Sequence, residues 1–153
     1  MSAPFPSPDV RQEVADLVAS SLWALDTHDL GLYLDAFTED AEFVETDAAG
    51  ATRTWAGRDA ISAITEERFA GPTGHQHRMS NHLYSPGERE DELVVWSYWS
   101  SGERDAATGE VAFRRTGWLR DVLRRTEDGW RIRVRRIGPW TGGLVHPRRV
   151  EGA

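Results

Sequence analysis

The sequence predicts an α+β fold: a cone in which three N-terminal helices pack on a curved, mainly antiparallel sheet. Three observations carry that prediction. Helical periodicity is confined to the first half of the chain, and long two-residue alternations fill residues 75–138. Turn signals at Pro86-Gly87, Thr108-Gly109 and Asp128-Gly129 cut that second half into hairpins. Helices first and a meander afterwards mark the segregated class rather than alternating units. A sheet wrapped on helices in this way encloses a cone-shaped cavity. One domain over residues 1–153 is expected, with a core at about 8–138. The tail, 139–153, either frays or forms a flap over the cavity mouth.

The elements follow in order. Ser7-Pro8-Asp9 opens the first helix with a capping hydroxyl, a proline at the first helical position and an acid in the first turn. Val10, Val14, Leu17, Val18, Leu22 and Leu25 then give it one apolar face. Asp29 caps a second, short helix whose buried stripe is Leu30, Tyr33, Leu34 and Phe37. "AEFVET" alternates like a strand, and Thr52 to Trp55 pairs with it after the turn-rich "DAAGA". A third helix runs from Arg58 to about Phe69. The long strands are expected at 75–85, 92–103, 111–125 and 130–138.

Composition narrows the function. Hydrophobic content of 39% and seven tryptophans in 153 residues describe a folded globule. A formal charge of -7 argues against nucleic acid, whose phosphates need a positive field. Residues 1–90 carry 16 acids against 6 arginines, and residues 91–153 carry 9 against 12. The arginines between Arg114 and Arg136 read as outward positions of strands rather than a phosphate-binding patch. With no cysteine, disulfides, thiolate chemistry and cysteine-ligated metals are excluded. "MSAPFPSP" lacks the basic and apolar regions of a secretion signal, and no apolar run is long enough for a membrane span. The expectation is a soluble cytoplasmic protein without membrane or nucleic-acid partners.

Chemistry concentrates in "GHQHRMSNHL", residues 74–83. In an extended strand His75, His77 and Asn81 share one face and His82 takes the other. His77 is open to three roles: a satisfied structural residue, a general base or a metal ligand. Asp26, in "WALDTHDL", stands beside the apolar face of the first helix. From spacing alone it is a solvated residue of the interhelical turn. Paired with His77 it would fix the imidazole tautomer and raise the basicity of the other nitrogen. A metal site is disfavoured, since catalytic zinc wants three protein ligands and His75 and His77 supply two. No metal and no cofactor are expected.

"ALDTHDLGLYLDAFTEDAEFVE", "WAGRDAI", "HQHRMSNHL" and "LRRTEDGWRIRVRR", in this order and spacing, resemble the SnoaL-like family of the nuclear transport factor 2-like superfamily over roughly residues 10 to 138. "LD" before "THDL", together with "QHRMSN", is similar to the branch that holds scytalone dehydratase, hexachlorocyclohexane dehydrochlorinase and ring-hydroxylating dioxygenase β subunits. The resemblance to the two enzymes implies an acid–base pair at Asp26 and His77, with Asn81 as a pocket contact and His75 near the rim. The departures are instructive. The second histidine of the dehydratase has no counterpart between His82 and His146, and its water-holding tyrosines align with Leu25 and Glu45. Arg120 or Arg124 would have to stand in for the cation of the dehydrochlorinase.

The resulting expectation is a cofactor-independent enzyme acting on a cyclic or polyketide-like metabolite by elimination, isomerisation or cyclisation. Asp26 and His77 are its catalytic candidates. Trp23, Trp96 and Trp99 are candidate pocket walls, and Glu45, His75 and Asn81 pocket contacts. The alternative is a non-catalytic binding or assembly subunit like a dioxygenase β subunit. Both faces of the strand from Leu93 to Trp99 are apolar, which predicts a homo-oligomer (dimer or trimer) built through the sheet.

Overall fold

The first helix begins where its capping chemistry places it. The Ser7 hydroxyl accepts from the Val10 N–H at 3.3 Å, and α1 runs Pro8–Asp26. This is a computed structural model, and it describes residues 6–71, 74–141, 144 and 146–150. The Asp29 carboxylate caps α2 (Leu30–Asp35) by accepting from the Leu32 N–H at 2.9 Å. β1 (Phe37–Thr46), β2 (Thr52–Ala56) and α3 (Arg58–Phe69) follow, and β3 (His75–Pro86) is the first of the long strands. Then come β4 (Glu92–Arg104), β5 (Val111–Thr126), β6 (Gly129–Pro139) and a short α4 (Pro147–Val150).

The six strands form one sheet in the order β2-β1-β6-β5-β4-β3. All neighbours are antiparallel except β1 and β6, which pair in parallel. The three helices cover one face. Between them lies an apolar core that includes Val14, Tyr33, Phe37, Phe43, Ile61, Leu93, Leu123 and Ile132. Each such side chain contributes roughly 1.5–3 kcal/mol when fully buried. This is the cone expected from the sequence.

Three local expectations need correction. Phe37 does not end the second helix; it opens β1, pairs with Ile132 and is 2% exposed. Core burial on the sheet outweighs helical spacing there. The alternation of β3 also fails to run through. Its register to β4 slips between Ser80 and Leu83, and Asn81 stands at φ 57 in the left-handed region. Asparagine tolerates that backbone, and a bulge of this kind reverses side-chain parity beyond it. Asn81 is therefore exposed, while His82 turns inward to Ser97 with 2.6 Å between Nδ1 and Oγ. Finally, the arginines of β5 and β6 are not all outward, because Arg135 is fully buried beneath the helices.

Candidate active site

The helices and sheet enclose a cavity of about 1110 Å³. Leu22, Leu25, Phe43, Phe69, Trp99 and Ile137 give it apolar walls. Tyr33 and Arg135 reach its floor, and Glu45, Arg68, His75, Glu103, Arg114 and Arg115 also line it. Trp99 lies flat along the sheet because residue 117 is glycine. A Cβ there would sit 2.4 Å from the Trp99 indole nitrogen.

Asp26 is the last residue of α1, a poor place for a carboxylate because the final carbonyls of a helix carry partial negative charge. Its oxygens are taken up by β3 instead. Oδ2 accepts the His77 backbone N–H at 2.9 Å, and Oδ1 lies 2.6 Å from His77 Nδ1. Two features aim the helix end at that strand. His28, at φ 57, turns the chain out of α1 while its N–H donates to the Leu25 carbonyl at 3.2 Å. Near the other end, the Tyr84 hydroxyl donates to the Arg11 carbonyl at 3.3 Å.

Both partners keep some solvent access, with side chains 15% exposed for Asp26 and 29% for His77. In the tautomer whose Nδ1–H donates to Asp26 Oδ1, Nε2 carries the lone pair. His77 lines the cavity, with its ring centroid 6.5 Å from that of Trp99. A nitrogen so placed is able, chemically, to accept a proton from a molecule in the cavity.

A second pair lies under the floor. Arg135 donates to both Asp121 oxygens, at 2.9 and 2.7 Å, and to the Ser21 hydroxyl at 3.2 Å. Burial works against its charge, but the Asp121 carboxylate more than offsets that and holds the guanidinium above its ordinary pKa. Burial likewise raises the Tyr33 hydroxyl, against the opposing influence of Arg135, so it stays protonated at the floor.

The other expected contacts divide. Glu45, His75 and Trp99 line the cavity with His77, whereas Asn81 does not. Trp23 is 69% exposed. Trp96 faces the outer side of the sheet, where its ring packs on Trp118 at 5.6 Å. Arg120 lies over Trp96, and Arg124 is engaged by Asp40 and Glu92, so neither cation enters the cavity. Arg135 reaches it instead, and spacing gave one signal: adjacent Arg135 and Arg136 must point to opposite faces. Among the described residues no group of three His, Asp or Glu side chains is arranged to hold a metal ion. No helix among them is long and apolar enough to cross a membrane. Of the tail, Pro139 lines the cavity and Trp140 packs on Tyr98 of the outer face, at 4.8 Å between centroids. Residues 142, 143, 145 and 151–153 of the expected flap lie outside the described residues.

Comparison with known proteins agrees with this architecture. The SnoaL-like domain matches residues 8–136. Aln2 from a Streptomyces species is 26% identical, with a TM-score of 0.74 over 89% of this chain and 94% of its own. An NTF2-like protein with a cystatin-like fold from Novosphingobium aromaticivorans is 22% identical, with a TM-score of 0.72 over 89% of this chain and 85% of its own. A protein of unknown function with a cystatin-like fold from Nostoc punctiforme is 18% identical, with a TM-score of 0.73 over 91% and 97%. The latter two likenesses speak for the fold alone. No curated protein matches the sequence.

Proposed function

The chain belongs to the SnoaL-like domain family, and from that premise we propose that it is a cofactor-independent enzyme taking a proton from a small, largely apolar ring compound. The observation that carries this reading is the 2.6 Å contact between Asp26 and His77 at the wall of the cavity. His77 Nε2 removes a proton from the carbon beside a carbonyl, and the electron pair moves into an enolate. In the elimination branch the enolate expels a β-hydroxyl, and the imidazolium returns its proton to the leaving oxygen to release water. Reprotonation at another atom gives an isomerase, and attack on an internal electrophile gives a cyclase. Asp26 holds the tautomer and balances the charge on the imidazolium.

The test is a panel of bicyclic β-hydroxyketones, followed by the near-ultraviolet absorbance of the conjugated enone. Conversion is expected with the wild type and a fall of ~10²–10⁴ in turnover with His77→Gln. Near-wild-type turnover in that variant would remove His77 from the mechanism. Binding of the panel with neither conversion nor proton exchange in deuterated water would favour the assembly-subunit reading.

We also infer a homo-oligomer through the outer face of the sheet. Tyr98, Phe113 and Trp140 are 47%, 63% and 50% exposed there, beside the packed rings of Trp96 and Trp118. Light scattering should report a mass above 17.2 kDa, and Trp96→Glu should lower it. A 17.2 kDa particle at all concentrations would sink the assembly.

A further inference from the structure

Five arginines line the cavity: Arg53, Arg68, Arg114, Arg115 and Arg135. Four of them have carboxylates of this chain as partners. Asp121 holds Arg135 at 2.7 Å, and Glu45 lies 3.0 Å from Arg68 and 3.9 Å from Arg53. Glu103 lies 3.3 Å from Arg114. The Arg115 side chain makes no ion pair or hydrogen bond with the described residues.

Its place on the sheet makes that cation useful. His77 is opposite Ser101 in the β3–β4 register, and Ser101 is opposite Arg115 in the β4–β5 register. The three therefore form one row across adjacent strands with their side chains on the same, cavity-lining face. The next pair is Gly102 with Phe113, so Arg114 is the extra residue of a bulge. Two strand spacings separate the base from the cation, about 10 Å between their Cα atoms. Between them, Ser101 is buried at 4% exposure, and its hydroxyl is engaged by no other side chain among the described residues. Glu67 lines the mouth from α3 and repels an anion on that side.

We propose that Arg115 binds a carboxylate of the substrate, with the Ser101 hydroxyl as a donor between cation and base. The substrate is then a small ring compound with an acidic side chain. Its carboxylate is anchored at Arg115 so that its reactive C–H meets His77. The inference rests on the reading of His77 as the base. A guanidinium suits this role because its paired N–H groups match a carboxylate edge and fix orientation as well as charge.

Calorimetric titration with naphthoate, its methyl ester and naphthylmethylamine tests the assignment. The wild type should bind the acid about tenfold more tightly than the ester, a charge-assisted contact being worth more than a neutral one. Arg115→Gln should bring that ratio to about one, while Arg114→Gln and His77→Gln should retain it. Equal or tighter binding of ester or amine by the wild type would overturn the proposal. So would a preference that survives Arg115→Gln, or failure of all three probes to bind. The two readings separate cleanly. Loss of the acid preference with His77-dependent conversion intact overturns the role of Arg115 alone, and an intact preference without conversion overturns only the base.

Discussion

Asp121–Arg135 and Asp26–His77 are both pairs of a carboxylate with a nitrogen donor that meet the same cavity, yet they do opposite things. In the first, both carboxylate oxygens and the guanidinium are committed to one another and to Ser21, with side chains 2% and 0% exposed for Arg135 and Asp121. In the second, the carboxylate is committed to His77 through a ring nitrogen and the backbone N–H, but the imidazole keeps one nitrogen uncommitted. Saturation makes the first pair a structural member. An open valence toward the cavity makes the second a candidate for chemistry, although it is the less buried of the two.

That contrast breaks most visibly in stability. Asp121→Asn leaves Arg135 charged and buried without its partner, so a loss of about 3–5 kcal/mol is expected from urea unfolding. Asp26→Asn keeps an acceptor for the His77 N–H and should cost about 1 kcal/mol. Equal losses would erase the distinction. Replacing both members, as Asp121→Leu with Arg135→Met, should recover much of the loss, since apolar side chains of similar size need no charge compensation.

A smaller effect is expected at the wall between the two pairs. Gly117→Ala drives a methyl into the Trp99 indole and the Gly138 carbonyl, which lies 2.1 Å from the added carbon. Overpacking of this kind costs about 1–3 kcal/mol. If Trp99 yields, it moves into the cavity beside His77, and naphthoate binding should weaken even where the protein stays folded. Unchanged stability and binding together would show that the wall is softer than its contacts imply.

The sequence carried the frame of this molecule well and its side-chain aim less well. Ser7 and Asp29 announced their helices because capping is local chemistry, and the turn glycines announced the hairpins for the same reason. Phe37 was misplaced because helical spacing and strand burial are indistinguishable at one residue. Asn81 was misplaced because a bulge changes parity without changing composition. The approach of Asp26 to His77, 51 residues apart, was legible through the family resemblance and not through spacing. Arg135 was hidden among arginines, since a strand that reads "RIRVRR" places some of them on each face.

The bulge at Asn81 has a consequence that pH should expose, the smallest of these effects. It turns His82 toward Ser97, and burial pushes the imidazole below its ordinary pKa of 6.5, with Asp121 pulling partly the other way. The folded protein therefore binds the proton less readily than the unfolded chain. By linkage, the contribution of neutral His82 is complete above about pH 6.5 and declines as pH falls below it toward the lower folded-state value. His82→Gln removes the titrating group while keeping a partner for the Ser97 hydroxyl. Urea midpoints at about pH 8 and about pH 5 should then fall further for the wild type than for the variant, the difference isolating His82 from the carboxylates that titrate in both. Parallel falls would mean that His82 stays as easily protonated in the fold as outside it, and that the turn at Asn81 brings it no real desolvation. Asp26–His77 and Asp121–Arg135 would then be left as the two polar pairs by which this cavity is organised.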